Sequence, residues 1–300
     1  MVTRKYAKSI GGYTMNIGFI GFGEVGNEMS KGLSKYKVDN IFAYDPLLID
    51  KSPEKLSTNT KITYFQNAKE LSTQSMTILF VAVPATKAID AWSEIKEYIN
   101  KDTILVDLTT ASANEKNMIN KMMKDRNLNI LDAAILGALK VYQHTVPILV
   151  SGQNANHLVD IAETLGMNVT KLNDNVGDAT NFKYIRSIFT KGLSTLLYEV
   201  METAEKLDLD QEIYSSITNT MDKDDFGEII NRYIKSNVKH SKRREKEMEN
   251  VSDFMKQHHI ETYMTDATIS KLKDITQAGL EEKLSDTNYN WIDVIKTFNR

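Results

Sequence analysis

The run NIGFIGFGEVG, from Asn16 to Gly26, constrains this chain more than any other stretch. It reads as a buried strand, a glycine turn and a helix extending from Val25 to about Tyr36. Gly21, Gly23 and Gly26 fit G-x-G-x-x-G, with Phe22, Glu24 and Val25 between them. The first glycine lets the chain turn sharply off the strand. The second presents no side chain to a pyrophosphate, and the third lets the helix pack close to the sheet. Phosphates in such a turn sit on free N–H groups at a helix N-terminus, where the dipole favours negative charge. Asp45 closes the next apolar stretch, IFAYD, about 20 residues on, where a carboxylate accepts hydrogen bonds from an adenosine ribose. The pattern predicts a dinucleotide site, and Asp45 favours NAD over NADP because a 2′-phosphate would meet a like charge. The competing reading is a structural turn in another α/β fold. The strand before, the helix after and the acid at that distance argue for the dinucleotide.

From Met15 to about Leu172, short apolar runs alternate with helical stretches. NIGFIGF, NIFAYD, KITYF, MTILFVAV, TILVDLT, NILDAAIL, VPILVS and NVTKL have strand length and strand composition. Amphipathic stretches such as ATKAIDAWSEIKEYI and NEKNMINKMMKDRN separate several of them. This alternation predicts a mostly parallel, doubly wound α/β sheet covered on both faces. Ligands in such sheets bind beyond the strands' C-terminal ends, so the functional loops should follow Phe22, Val83 and Thr109. After Gly177 the strand pattern stops. A long helix is expected from about Asp178 to Leu207, with Ile185, Ile188, Phe189, Leu193, Leu196, Leu197, Val200, Ala204 and Leu207 at helical spacing. Everything beyond also reads as helix. The expected organisation is an extension over 1–14, a Rossmann domain over 15–173 and an all-α domain over 174–300, joined by the long helix.

Three hundred residues with a formal net charge of −3 give no bulk electrostatic case for nucleic acid or an anionic membrane. Cysteine is absent, which excludes disulfides and thiolate chemistry and suits a cytoplasmic setting. No apolar run approaches the ~18 residues of a membrane span, and the first residues lack a signal peptide's apolar core. The five histidines show no metal-ligand spacing, so no metal is expected.

A second cluster opens the long helix. Lys183, Arg186 and Ser187 share one face by their spacing, with Asn181, Thr190 and Lys191 nearby. Taken alone, such a set reads first as a solvated helix face. Gly192, inside the helix, costs ~1 kcal/mol against alanine and so marks a close approach by another backbone or a ligand. The segment VKHSKRREKEMENV places Arg243 and Arg244 beside His240 and Glu247. A guanidinium suits a carboxylate or phosphate, whereas Arg243 and Glu247 at i,i+4 also suit a salt-bridged surface.

Four segments together make the chain resemble the β-hydroxyacid dehydrogenase superfamily, which includes 6-phosphogluconate and 3-hydroxyisobutyrate dehydrogenases. NIGFIGFGEVG is similar to its cofactor motif, and VAVPATKAIDA, with Val83 and Pro84, to its fourth-strand loop over the nicotinamide. LDAAILGALKVYQHTVPILVSG resembles its substrate segment, and GDATNFKYIRSIFTKG its catalytic-helix motif. Within the superfamily, K-x-x-R-S-x-x-x-K-G followed by H-x-x-R-R-x-x-E-M is closest to a bacterial 6-phosphogluconate-dehydrogenase-like subfamily with its own helical C-terminal domain. The resemblance implies Lys183 as the catalytic lysine, Gly137 and Ala138 in the carboxylate-holding loop, Thr109 near the nicotinamide, and Asp45 as the NAD-selecting acid. It also implies a homodimer. Leu136 stands where the family has a serine, and Arg186 and Ser187 where it has histidine or asparagine and asparagine. Arginine cannot exchange protons near neutral pH, but it can clamp an anion.

These readings converge on hydride transfer between NAD and a small hydroxy acid or keto acid. Lys183 would exchange the hydroxyl proton, and Arg186, Ser187, His240 and Arg244 would hold an anionic group. Two alternatives stand beside it: an imine reductase, and a nicotinamide-binding sensor without turnover.

Overall fold

The computed structural model describes residues 14–49, 61–284 and 288–300. Most of the expected N-terminal extension therefore lies outside the described residues. The chain divides into two compact units, one ending at Arg186 and one running from Ser187 to Arg300. The division falls inside the long helix rather than at its start.

The first unit is built on eight strands: β1 (Asn16–Ile20), β2 (Asn40–Tyr44), β3 (Ile62–Tyr64), β4 (Ile78–Val81), β5 (Ile104–Asp107), β6 (Ile130–Ile135), β7 (Ile148–Ser151) and β8 (Val169–Asn173). Seven lie within apolar runs of the sequence, and β8 extends one residue, Asn173, past the run NVTKL. They form one sheet in the order β3-β2-β1-β4-β5-β6-β7-β8. All neighbours pair in parallel except β6 and β7, which run antiparallel. The chain moves outward from β1 to β3, then returns to place β4 on the other side of β1. That reversal makes β1 and β4 the topological switch point.

Both faces of the sheet are covered. Ile17 and Phe19 of β1 join Ile78 and Phe80 of β4 in one core, while Ile20, Leu79 and Val81 join the other. The two-residue period of the strands thus distributes a continuous apolar run between two layers. The covering helices are α1 (Glu24–Leu33), α2 (Ala68–Ser72), α3 (Ala88–Ile95), α4 (Ala113–Lys124), α5 (Leu139–Tyr142) and α6 (Ala155–Thr164). The first ends before Tyr36 because Lys35 N–H and Tyr36 N–H turn back onto the Gly32 and Leu33 carbonyls, tightening the chain out of the α form. A capping box between Ser112 and Glu115 starts α4.

The long helix α7 (Asp178–Glu205) crosses from the first unit into the second. The second unit continues with α8 (Asp210–Met221), α9 (Phe226–Gln257), α10 (Tyr263–Gln277), α11 (Leu280–Lys283) and α12 (Trp291–Phe298). Its core gathers Val238, Leu280 and Val294 with Ile234, Ile275 and Phe298 around them. Glu199 of α7 accepts the Met264 and Thr265 N–H groups at the start of α10. Among the described residues no helix is long and apolar enough to cross a membrane.

Candidate functional site

The glycine turn leaves β1 at the switch point. Gly21 has φ +86°, and a Cβ there would lie 2.6 Å from the Ala82 carbonyl oxygen, so the turn sits hard against the end of β4. A Cβ on Gly26 would meet Phe22 Cδ2 at 2.8 Å and Gly21 O at 3.0 Å, which sets how closely α1 packs on the turn. Gly23 differs: a Cβ there would meet nothing within 4 Å among the described residues. Gly23 is also the N-cap of α1, and no side chain caps that helix end. Glu24 is exposed and Val25 half-buried beside it. Open space over uncapped amides at a helix N-terminus fits a diphosphate.

Asp45 follows β2. Its Oδ2 accepts the Phe22 N–H at 2.8 Å and its Oδ1 accepts the Leu47 N–H at 2.9 Å. The carboxylate therefore fixes the glycine turn, a role its spacing did not reveal. Burial, with the charges of Glu94 and Asp45, pushes the neighbouring Tyr44 phenol above its usual range. Val83 and Pro84 follow β4, with Pro84 exposed and capping the turn Ala85–Lys87.

Thr109 follows β5 and is buried. Its N–H and hydroxyl both donate to Asp107 Oδ1, at 2.8 and 2.6 Å. Asp107 is itself fully buried, receives Trp92 Nε1 from α3 at 2.8 Å, and pairs with Lys116 Nζ of α4 at 2.9 Å. Lys116 reaches a second buried carboxylate, Asp132 of β6, at 3.0 Å. Asp132 in turn accepts the N–H and hydroxyl of Thr180, in the first turn of α7, at 2.9 and 2.8 Å. The sequence reading passed over Lys116, Asp107 and Asp132. A signal was present: Lys116 shares the buried stripe of α4 with Ile119 and Met123, and each aspartate interrupts an apolar strand.

Lys183, half-buried, stands one turn beyond Thr180. Its neighbour Tyr184 donates a hydroxyl bond to the Thr110 carbonyl at 3.3 Å, which brings this turn of α7 against the loop after β5. Gly137 and Ala138 are exposed and follow β6 at the same edge of the sheet as the other loops. Leu136 N–H is taken by the Pro147 carbonyl at 2.8 Å. The glycine turn, Asp45, Val83, Pro84, Thr109, Gly137, Ala138 and Lys183 thus gather along one edge of the first unit. Arg186 ends that unit and is exposed.

Ser187, His240 and Arg244 belong to the second unit. His240 is exposed on α9. Arg244 Nη1 bonds Ser236 Oγ at 2.7 Å and Asn237 Oδ1 at 2.5 Å, so part of its guanidinium braces its own helix. Arg243 forms the i,i+4 pair with Glu247, exposed on both sides. A Cβ on Gly192 would meet nothing within 4 Å, so the close approach expected there is not made by the described parts of this chain.

Comparison with known proteins adds the family. Residues 16–172 match the family model of the NAD binding domain of 6-phosphogluconate dehydrogenase, and residues 204–275 match a domain of unknown function, DUF1932. An uncharacterized 28.5 kDa protein from Methanothermus fervidus is 29% identical over 264 residues, covering 88% of this chain and 100% of its own. Mitochondrial 3-hydroxyisobutyrate dehydrogenase of Drosophila melanogaster is 26% identical over 224 residues, covering 71% of this chain and 66% of its own. Among solved structures, a variant imine reductase from Myxococcus stipitatus in complex with NAD+ superposes with a TM-score of 0.76 at 14% identity, covering 96% of this chain and 100% of its own. At that identity the likeness speaks for the fold alone.

Proposed function

The chain belongs to the family of the NAD-binding domain of 6-phosphogluconate dehydrogenase, within the β-hydroxyacid dehydrogenase superfamily, and from that premise we propose that it is an NAD-dependent dehydrogenase or reductase of a small hydroxy acid or keto acid. The observation that carries this reading is the contact of Tyr184 with the Thr110 carbonyl, which brings the Lys183 turn of α7 to the loop after β5. A proton carrier and a nicotinamide loop at one sheet edge are what hydride transfer from an alcohol requires.

The open face of Gly23 and the uncapped start of α1 would hold the diphosphate, and Asp45 the ribose hydroxyls. Bound NAD supplies the hydride acceptor; the protein supplies position and proton transfer. Lys183, in its unprotonated form, would take the proton from the substrate hydroxyl as the carbon loses hydride, and return it to the carbonyl in the reverse direction. Arg186 and the backbone N–H groups of Gly137 and Ala138 take the substrate carboxylate. Leu136 contributes no hydroxyl there, so the guanidinium carries more of the recognition. The functional protein in this reading is a homodimer.

The test is nicotinamide absorbance against hydroxy acids, sugar acids, their phosphates and cyclic imines, with wild type beside Lys183→Ala. Turnover of an acid is expected, with the variant slower by about 100-fold or more and binding NADH normally. NADH is expected to bind more tightly than NADPH. Turnover of imines alone would replace this reading with imine reduction. Bound NADH with no turnover of any compound would replace it with a sensor.

A further inference from the structure

Lys116 carries an unusual burden for a residue outside any motif. Its ammonium is fully buried and makes three contacts: Asp107 Oδ1 at 2.9 Å, Asp132 Oδ1 at 3.0 Å and the Asp107 carbonyl at 3.1 Å. Two carboxylates and one ammonium leave one net negative charge inside the first unit. Stability does not account for such a group, because well-packed apolar side chains usually serve as well as a buried ion pair. What the network does supply is a fixed geometry. Asp107 holds both polar groups of Thr109, and Asp132 holds both polar groups of Thr180. Each threonine is thereby locked in position and rotamer. Asp107 and Asp132 are already ladder partners in β5 and β6, and Tyr184 touches the Thr110 carbonyl; Lys116 adds the side-chain tie between the two carboxylates that hold Thr109 and Thr180.

We propose that Lys116 is a positioning residue: through Asp107 and Asp132 it sets the placement of the Thr109 loop relative to the α7 turn that bears Lys183. This rests on the reading of Lys183 as the proton carrier. The consequence is geometric. A rigid network with all its hydrogen bonds made admits one arrangement, whereas an apolar contact would let the helix start slide by fractions of an ångström. Hydride and proton must leave neighbouring atoms together, and a misplacement near 1 Å costs about 100-fold in rate. Lys116 touches neither substrate nor cofactor in this account. It acts through Thr109 and Thr180.

Lys116→Met keeps the length of the side chain and removes the charge. Because it strands two carboxylates, the double variant Lys116→Met/Asp132→Asn is made beside it; this restores the net buried charge of the wild type. Amide hydrogen exchange is followed in the segments 108–111 and 178–182, with α1 as internal reference. Both segments are expected to exchange about tenfold faster together, with α1 unchanged. In the double variant kcat is expected to fall about 100-fold while KM and the NADH dissociation constant stay within about threefold. Wild-type exchange in both segments, or loosening of one alone, would overturn the proposal. So would full kcat in the double variant when Lys183→Ala is inactive. If Lys183→Ala itself retains activity, the reading of Lys183 fails instead, and the exchange measurement still decides whether Lys116 couples the two segments.

Discussion

Gly21, Gly23 and Gly26 differ in what a side chain would meet, and that difference separates folding from binding. At Gly21 a methyl group would strike the Ala82 carbonyl at 2.6 Å, on a backbone already at φ +86°. At Gly23 it would strike nothing within 4 Å, with φ at an ordinary −74°. Gly21→Ala should therefore lower stability by about 2 kcal/mol or more in urea titration. Gly23→Ala should leave the urea midpoint unchanged and weaken NADH binding about tenfold, as read by nicotinamide fluorescence. Unaltered NADH affinity in Gly23→Ala would make the turn structural. His144 poses a different question at the same scale. It is buried, neither ring nitrogen has a partner among the described residues, and it stacks edge-on against Tyr36. Burial, and then the charge of Lys35, lowers its pKa below 6.5. Unfolded chains therefore take up a proton on this ring before folded ones do, and stability falls as pH drops below about 6.5. Asp178 and Asp266 are held below the usual carboxylate range by hydrogen bonds from Asn173 and Ser252 respectively, so their own acid losses come at lower pH. His144→Leu should flatten the melting temperature between pH 6.5 and 5 without loss at pH 8. A slope equal to wild type there would assign the acid sensitivity to another group.

Elements differ in how much of them a sequence states. Each strand was legible because apolar, β-branched runs bounded by polar turns have few other uses, and the long helix because its apolar spacing holds from Ile185 to Ala204. The glycine turn was legible as the break between β1 and α1 because its signal is local. Pairings across the fold were not. Nothing adjacent to Lys116 in sequence points to Asp132, and nothing near Asp45 says that Phe22 N–H will turn back onto its carboxylate. The same limit hid Glu199, which reads as one more surface charge on α7. In the fold its two oxygens take the Met264 N–H at 2.7 Å and the Thr265 N–H at 2.8 Å, capping α10 from a neighbouring helix. A carboxylate on uncapped amides at a helix start is stabilising both as hydrogen-bond acceptor and against the dipole. Glu199→Ala should cost about 2 kcal/mol, read as a lower urea midpoint with faster amide exchange at the start of α10. Unchanged exchange there would mean that packing, not this carboxylate, holds the helix.

At the scale of the whole molecule, the periodicity of α7 announced an apolar face but not what lies on it. Ile185, Ile188, Phe189, Leu193, Leu196 and Leu197 follow the spacing of one stripe, yet all are exposed, Ile188 at 75%. Single exposed apolar residues are common, but six along one helix in a monomer are not. Gly192 lies within this stripe, and a Cβ on it would meet nothing within 4 Å among the described residues. A glycine there costs helix stability of ~1 kcal/mol, and no close approach within the described chain calls for it. We propose that both features serve the close approach of a second copy along α7, crossing at the notch that Gly192 leaves. Light scattering at micromolar concentration should give twice the chain mass of 34.0 kDa. An added Cβ at Gly192 meets nothing within 4 Å among the described residues, and Gly192→Arg replaces a poor helix former with a good one. It should therefore keep or raise helicity by circular dichroism while reducing the scattering mass to that of one chain. A wild-type protein already at single-chain mass would refute the dimer. A Gly192→Arg variant that remained a dimer would move the interface away from this stripe.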